Sequence, residues 1–188
     1  EAPANERIGK NFRMLPELGE AENLLTRAEG VKRLAFALLR EEGHVLALSL
    51  TLSEEETYLI PVQGFLTEGW LLERLVRILE GADEIACLRL KEELSCLDAA
   101  MEEAGISLGP DMEAAFQDAE IAAYLLNPLK DSYSVEELAK ECLELAIPSR
   151  TELFGKESLA QAMEEKPKDF LAYGGYSSYV LYQAMPVL

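Results

Sequence analysis

Basic residues are scarce in this 188-residue chain: 17 Lys and Arg stand against 35 Asp and Glu, a formal net charge of −18. A surface that grips nucleic acid by neutralising phosphates needs clustered Lys and Arg, and affinity falls with each missing contact. No run of four basic residues occurs; acidic runs recur instead, at Glu41-Glu42, Glu54-Glu55-Glu56, Glu92-Glu93, Glu102-Glu103, Glu136-Glu137 and Glu164-Glu165. Most of these read as solvated helix and turn surface. Tight, independent binding to DNA is therefore not expected.

Histidine and cysteine are nearly as rare. The single histidine, His44, follows Gly43 and reads as a turn residue. Cys87, Cys96 and Cys142 are odd in number and lack the spacing of metal ligands. Neither a zinc site nor a His-based catalytic triad can be assembled from this set. The thiols read as reduced core residues of a cytoplasmic protein. No apolar run approaches the roughly 20 residues that span a bilayer, and no charged-then-apolar signal segment opens the chain, so no membrane partner is expected. The chain begins at Glu1 without a methionine, which reads as a piece of a longer polypeptide.

What is present fits one globular domain: 49% hydrophobic residues, 7% aromatic, and a length sufficient for one sizeable core. Residues 1–16 are polar with Pro3 and Pro16 and read as a linker, with room for a short strand around Phe12–Leu15. A short helix is predicted over Glu20–Ala28, closed by Gly30. Arg33–Leu39, Val45–Leu52 and Thr57–Val62 follow as three strand-like runs with turn residues between them, a meander of two hairpins. Apolar spacing then predicts helices over Trp70–Leu79 and Lys91–Ala104 with the short strand Glu84–Leu88 between them. Further helices are predicted over Ala119–Leu126 (stopped by Pro128), from Ser134 through Leu145, over Ser158–Glu165 and over Lys168–Leu181. The Ser134-Val-Glu-Glu137 spacing is that of a capping box. Strands first, then alternation, then helices describe a mixed α/β sandwich.

Several segments resemble the 3′–5′ proofreading domain of bacterial family A DNA polymerase I. Asp118-Ala-Glu-Ile-Ala-Ala-Tyr-Leu-Leu-Asn-Pro128 resembles a recurrent helical block of that family, and Thr57-Tyr-Leu-Ile-Pro-Val62 resembles its third strand. Ala104-Gly-Ile-Ser-Leu108, Ser134–Leu143 and Tyr173-Gly-Gly-Tyr-Ser177 resemble further family motifs in the same order, so that the likeness runs over about residues 31–185. The resemblance implies an α/β, ribonuclease-H-like (DnaQ-like exonuclease) fold with a mixed central sheet flanked by helices. It also implies two-metal phosphodiester hydrolysis, in which divalent ions about 3.5–4 Å apart are held by converging carboxylates.

Carried over residue by residue, that chemistry is depleted. The two carboxylates of the first strand motif, Asp-x-Glu, fall on Ala37 and Leu39, and the last aspartate falls on Ser177. In the Asn-x-x-Tyr-Asp motif the asparagine is Arg89 and the aspartate is Glu93; only Tyr173, the water-orienting position, matches outright. Arg89 is expected to oppose a cation or to pair with Glu93. Asp118 reads equally as the N-cap of its helix. Apolar Ala37 and Leu39 suggest a cleft filled or closed by packing.

The resemblance thus implies a catalytically inactive exonuclease-like domain, residues 17–185, with 1–16 a linker and 186–188 the start of a polymerase region. It would serve as a scaffold beside the polymerase domain of the same chain in DNA replication and repair, meeting DNA through that parent. No catalytic residue, cofactor or metal is expected. Mg²⁺ or Mn²⁺ would enter only with residual activity, with Glu93 and Asp118 the candidate ligands and Asp111 and Glu120 nearby. The alternatives are that weak nuclease, or a freestanding protein-interaction domain with Tyr173, Tyr176 and Tyr179 along one helix stripe.

Overall fold

Two tight reversals bring the first three long strands together. In the computed structural model, which describes residues 4–188, β2 (Arg33–Glu41), β3 (His44–Ser53) and β4 (Glu56–Pro61) form the expected antiparallel meander. Between β2 and β3 the chain turns at Glu42 and Gly43, with φ of 51° and 80°. Two successive left-handed residues match the right-handed twist of the strands they join, which is why a glycine sits there. His44 is the first residue of β3, so its expected place at the turn is met at the turn's edge.

Three short strands complete a six-stranded sheet of order β1-β4-β3-β2-β5-β6. β5 (Glu84–Cys87) lies parallel to β2, and β6 (Phe116–Asp118) parallel to β5. On the other flank β1 (Phe12–Met14) runs parallel to β4. This corrects the reading of 1–16 as a linker: α1 (Ala4–Gly9) and β1 are parts of the fold, and residues 1–3 lie outside the described residues. Pairing to a strand more than 40 residues away made β1, and no local pattern announces such a partner.

Strand alternation decides what each face of the sheet meets. Leu34, Phe36 and Leu38 of β2 pack into the main core with Leu48, Leu50 and Ile60. That face is covered by α2 (Leu18–Ala28), α3 (Glu68–Gly81) and α4 (Leu90–Ala104), which bury Leu25, Leu75 and Leu97 against it. Ala35, Ala37 and Leu39 point the other way, as a period of two requires. There α10 (Pro167–Ala184) lies across β2, β3 and β4, with α7 (Val135–Leu143) beside it. Of the remaining helices, α6 (Ala119–Leu126) and α9 (Leu159–Glu165) match the expected spans. α5 (Pro110–Ala115) and α8 (Arg150–Phe154) are short additions that no periodicity marked, and α7 stops two residues early, where Glu144 turns left-handed at φ 52°.

α10 comes unusually near the sheet. A Cβ added at Gly175 would lie 2.3 Å from Cδ2 of Phe12, and one at Gly174 would lie 2.6 Å from Cδ1 of Leu59. Only a residue without a side chain allows that approach. Small hydroxyls match it on the sheet side: Ser49 donates to the carbonyl of Gly174, and Ser178 shares hydrogen bonds with Ser49 (2.6 Å) and Thr51 (2.8 Å). These buried polar groups are mutually satisfied, so they fix the register of helix on sheet at little desolvation cost. Among the described residues no helix is long and apolar enough to cross a membrane.

Candidate active-site cleft

The α10 face of β2 and the first turn of α4 meet α10 at one opening. Ala37 and Leu39 arrive from β2, Arg89 and Glu93 from the β5–α4 junction, and Tyr173 and Ser177 from α10; together they line a cleft of about 230 Å³. The positions brought together by the sequence resemblance are therefore neighbours in space. Leu38, Arg40, Leu88, Glu92, Val135, Arg150 and Leu159 complete the lining. The expectation that packing closes the cleft is not met. Leu39 is buried on its floor with Leu59, Phe154 and Phe170, yet the opening above persists.

One carboxylate is sunk into this site. Glu93 is only 5% exposed, and its Oε1 lies 3.2 Å from Nη2 of Arg40. Its Oε2 has no hydrogen-bond partner. Burial pushes the carboxyl up to about 7, against the pull of Arg40, because ionising it there means stripping water from a charge. Arg40 is itself well engaged: Nη1 donates to the Glu92 carbonyl and to Sγ of Cys96 (3.0 Å), and Nη2 lies 3.6 Å from the Glu92 carboxylate. For Glu93 the reading of the acidic runs as solvated surface is thus overturned. It is a buried acid held by Arg40, a cation of β2 that the sequence did not single out.

Arg89 takes a different partner from the one anticipated. Its Nε donates to Oε2 of Glu120 at 3.0 Å and its Nη2 to the carbonyl of Tyr133 at 3.0 Å. The same Glu120 oxygen accepts from the Tyr133 amide, so Arg89 and Glu120 stitch the segment before α7 to the start of α4. Asp118 lies outside the cleft lining and acts as a double cap. Its Oδ1 accepts from the Ile121 amide (3.0 Å) and opens α6, while Oδ2 accepts from the Leu90 amide (2.9 Å) at the start of α4. Asp111 borders a separate depression with Glu80, Gly81 and Met112. Glu93, Asp118 and Asp111 therefore do not share a site.

On α10, Tyr173 is largely buried, edge-on to Phe154 with ring centroids 5.6 Å apart. Burial raises its hydroxyl above the usual tyrosine range. Ser177 donates back to the Tyr173 carbonyl at 2.9 Å, so its hydroxyl is used within the helix. Tyr176 packs edge-on to Phe12 at 4.9 Å and donates to the Asn5 carbonyl at 2.8 Å. Tyr176 and Tyr179 hold the N-terminal segment rather than lining a partner groove together. Arg150, which the sequence did not single out, donates to Glu41 at 2.8 Å. Glu41 also accepts from the Leu159 and Ala160 amides, and these three bonds, that from Leu159 foremost, hold its carboxyl below the usual carboxylate range.

The donor set does not fit a pair of divalent cations. Hard cations ask for about six oxygen ligands, with several carboxylates to offset the charge. The cleft offers Glu93 and Glu92, both facing one guanidinium. Among the described residues no group of three or more His, Cys, Asp and Glu is arranged to hold a metal ion.

No protein-family model matches the chain, and no curated protein matches it in sequence. Solved structures do match. The EXO domain of Nibbler from Aedes aegypti superposes with a TM-score of 0.67 at 12% identity, over 94% of this chain and 86% of that one. NrnC from Brucella melitensis gives 0.58 at 18% identity, over 93% and 77%. The catalytic core of RRP6 from Trypanosoma brucei gives 0.66 at 9% identity; the match covers 92% of this chain and spans 44% of that core. At such identities the likeness is one of architecture. The chain has the ribonuclease-H-like fold of DnaQ-like 3′–5′ exonuclease domains, a mixed sheet flanked by helices.

Proposed function

We propose that this is an exonuclease-like domain that has lost phosphodiester hydrolysis and serves as a structural module beside the polymerase domain of a DNA polymerase I, in replication and repair. One observation carries the reading: the cleft that gathers Ala37, Leu39, Glu93, Tyr173 and Ser177 contains a single deeply buried carboxylate, and Arg40 occupies one side of it. A methyl group and a leucine stand where the resemblance requires carboxylates. A lone carboxyl raised to about 7 and facing a guanidinium is a poor cation ligand. The net charge of −18 supports the same reading, since grip on DNA would come from the parent polymerase. On this reading the segment beyond Met185 leads toward the polymerase region, and the protein works in the cytoplasm.

A second reading is favoured by one detail. Oε2 of Glu93 is buried without a hydrogen-bond partner, and Glu93 and Tyr173 line the same cleft, the minimum from which a weak Mg²⁺- or Mn²⁺-dependent nuclease would have to be built. An exonuclease assay on 3′-end-labelled single-stranded DNA, with each ion in turn, separates the two. The control is Glu93→Gln, because Asp118 caps two helices and its loss would confuse folding with chemistry. The proposed reading expects no degradation beyond the control. Metal-dependent degradation abolished by Glu93→Gln would replace it with the second.

A further inference from the structure

α6 is an amphipathic helix turned inside out. Its buried residues are Ala119 and Ala123, the smallest apolar side chains available, while Ile121 (58% exposed), Tyr124, Leu125 (74%) and Leu126 (66%) face solvent. Leu129, just past the helix, is 93% exposed. A surface helix ordinarily buries its large apolar residues and presents polar ones. Scattered single leucines on a surface are unremarkable, but five large apolar side chains within nine residues form a contiguous patch, and such patches mark interaction sites.

The patch is also held in shape. Asp118 caps the helix; Asn127 accepts from the Leu129 amide through Oδ1 and from the Tyr133 hydroxyl through its carbonyl. Lys130 ties the following loop to Glu137 and Glu141 on α7. Its apolar side chains are therefore presented on an ordered frame, which lowers the entropy lost on association.

Charge selects the occupant. The segment 111–144, which contains the patch, carries nine acidic and two basic side chains, and Lys130 is already engaged by two of the acids. A second copy of this chain would bring the same acidic rim against itself, at a net charge of −18 per copy. We propose that the outer face of α6, continued by Leu129, docks onto a protein surface with an apolar centre and a basic rim. Resting on the function proposed above, that surface belongs to the polymerase domain of the same polypeptide.

The test is hydrogen exchange on the parent polypeptide and on the 188-residue chain, each with and without Leu125→Glu/Leu129→Glu. Both positions are exposed, so the double variant leaves folding intact, and unchanged exchange in β2 and β3 verifies this. Amides of 119–130 are expected to exchange at least ~10-fold more slowly in the parent, with that slowing abolished by the double variant. Equal exchange in parent and isolated chain, or slowing that survives the variant, overturns the docking face. So does a sedimentation mass of two copies for the isolated chain that the variant returns to one. A parent gene without a polymerase domain overturns the preceding functional reading instead, and with it the occupant named here.

Discussion

Arg40 and Glu93 stand 3.2 Å apart in the cleft, and the carboxylate oxygen that Arg40 does not reach, Oε2, has no hydrogen-bond partner. The pair is thus half satisfied. Such an arrangement costs stability when the acid is ionised and little when it is protonated.

The pH dependence follows from that asymmetry. The unfolded glutamate ionises near 4.5 and the folded one near 7, so as pH rises the unfolded chain releases its proton first. Stability contributed by this group is present below about pH 4.5, is lost between there and about pH 7, and is flat above. Its size is roughly 3 kcal/mol. Urea unfolding at pH 4.5 and pH 8 is expected to show Glu93→Gln gaining on the native chain by about that amount. A constant difference between the two proteins would show that folding does not shift the Glu93 carboxyl.

Asp118→Ala is expected to cost about 1–2 kcal/mol, because one substitution strips the cap from α6 and leaves the Leu90 amide without its acceptor. Asp118→Asn keeps an oxygen for the Ile121 amide and is expected to cost less. Denaturant midpoints of the two variants give the order. Equal losses would mean that the carboxylate charge near the helix start, not the oxygen geometry, carries the effect.

Gly175→Ala is expected to destabilise by about 1–3 kcal/mol, since its Cβ would fall 2.3 Å from the Phe12 ring. Phe12→Leu alone costs packing against Tyr176 but makes room for that methyl. The double variant is therefore expected to lose less than the two single losses added together. Additive losses in a double-mutant cycle would mean that α10 lifts as a body.

Leu39→Glu and Ala37→Asp are expected to differ sharply although both introduce a carboxylate. Leu39 is buried with Leu59, Phe154 and Phe170, and an acid there costs at least about 3 kcal/mol. Ala37 lies partly open at the cleft and should accept Asp at well under half that cost. Thermal unfolding of the two single variants measures the contrast; similar losses would place Leu39 in looser surroundings than its burial indicates.

Long elements were legible because their signals are local. The strand-like runs in 33–52, the Ser134 cap of α7 and the stop of α6 before Pro128 each depend on residues within one turn or one strand of each other, and each recurs in the structure. The short strand expected around Phe12–Leu15 is β1, but β6, α5 and α8 have three to six residues apiece, too few for a period to show. Their existence depends on partners far along the chain. The site divides the same way. The motif positions Ala37, Leu39, Glu93, Tyr173 and Ser177 were found by order and spacing, whereas Arg40 holding Glu93 and Arg89 turning to Glu120 are contacts across 53 and 31 residues. The inverted face of α6 was in the sequence as Ile-Ala-Ala-Tyr-Leu-Leu, but which side lay inward required the position of β6.

Gly174 and Gly175 sit between Tyr173 and Ser177, inside the stretch that a signature for exonuclease chemistry would read. Their presence is required by Leu59 and Phe12, not by anything that happens in the cleft. Two kinds of information are therefore interleaved there on one helix. One describes how near α10 lies to the sheet, and the other describes what the opening is able to do. The first persists for as long as the architecture does, while the second is free to erode. Likeness in such a stretch therefore measures kinship of shape, and the reaction has to be read from the side chains that line the opening.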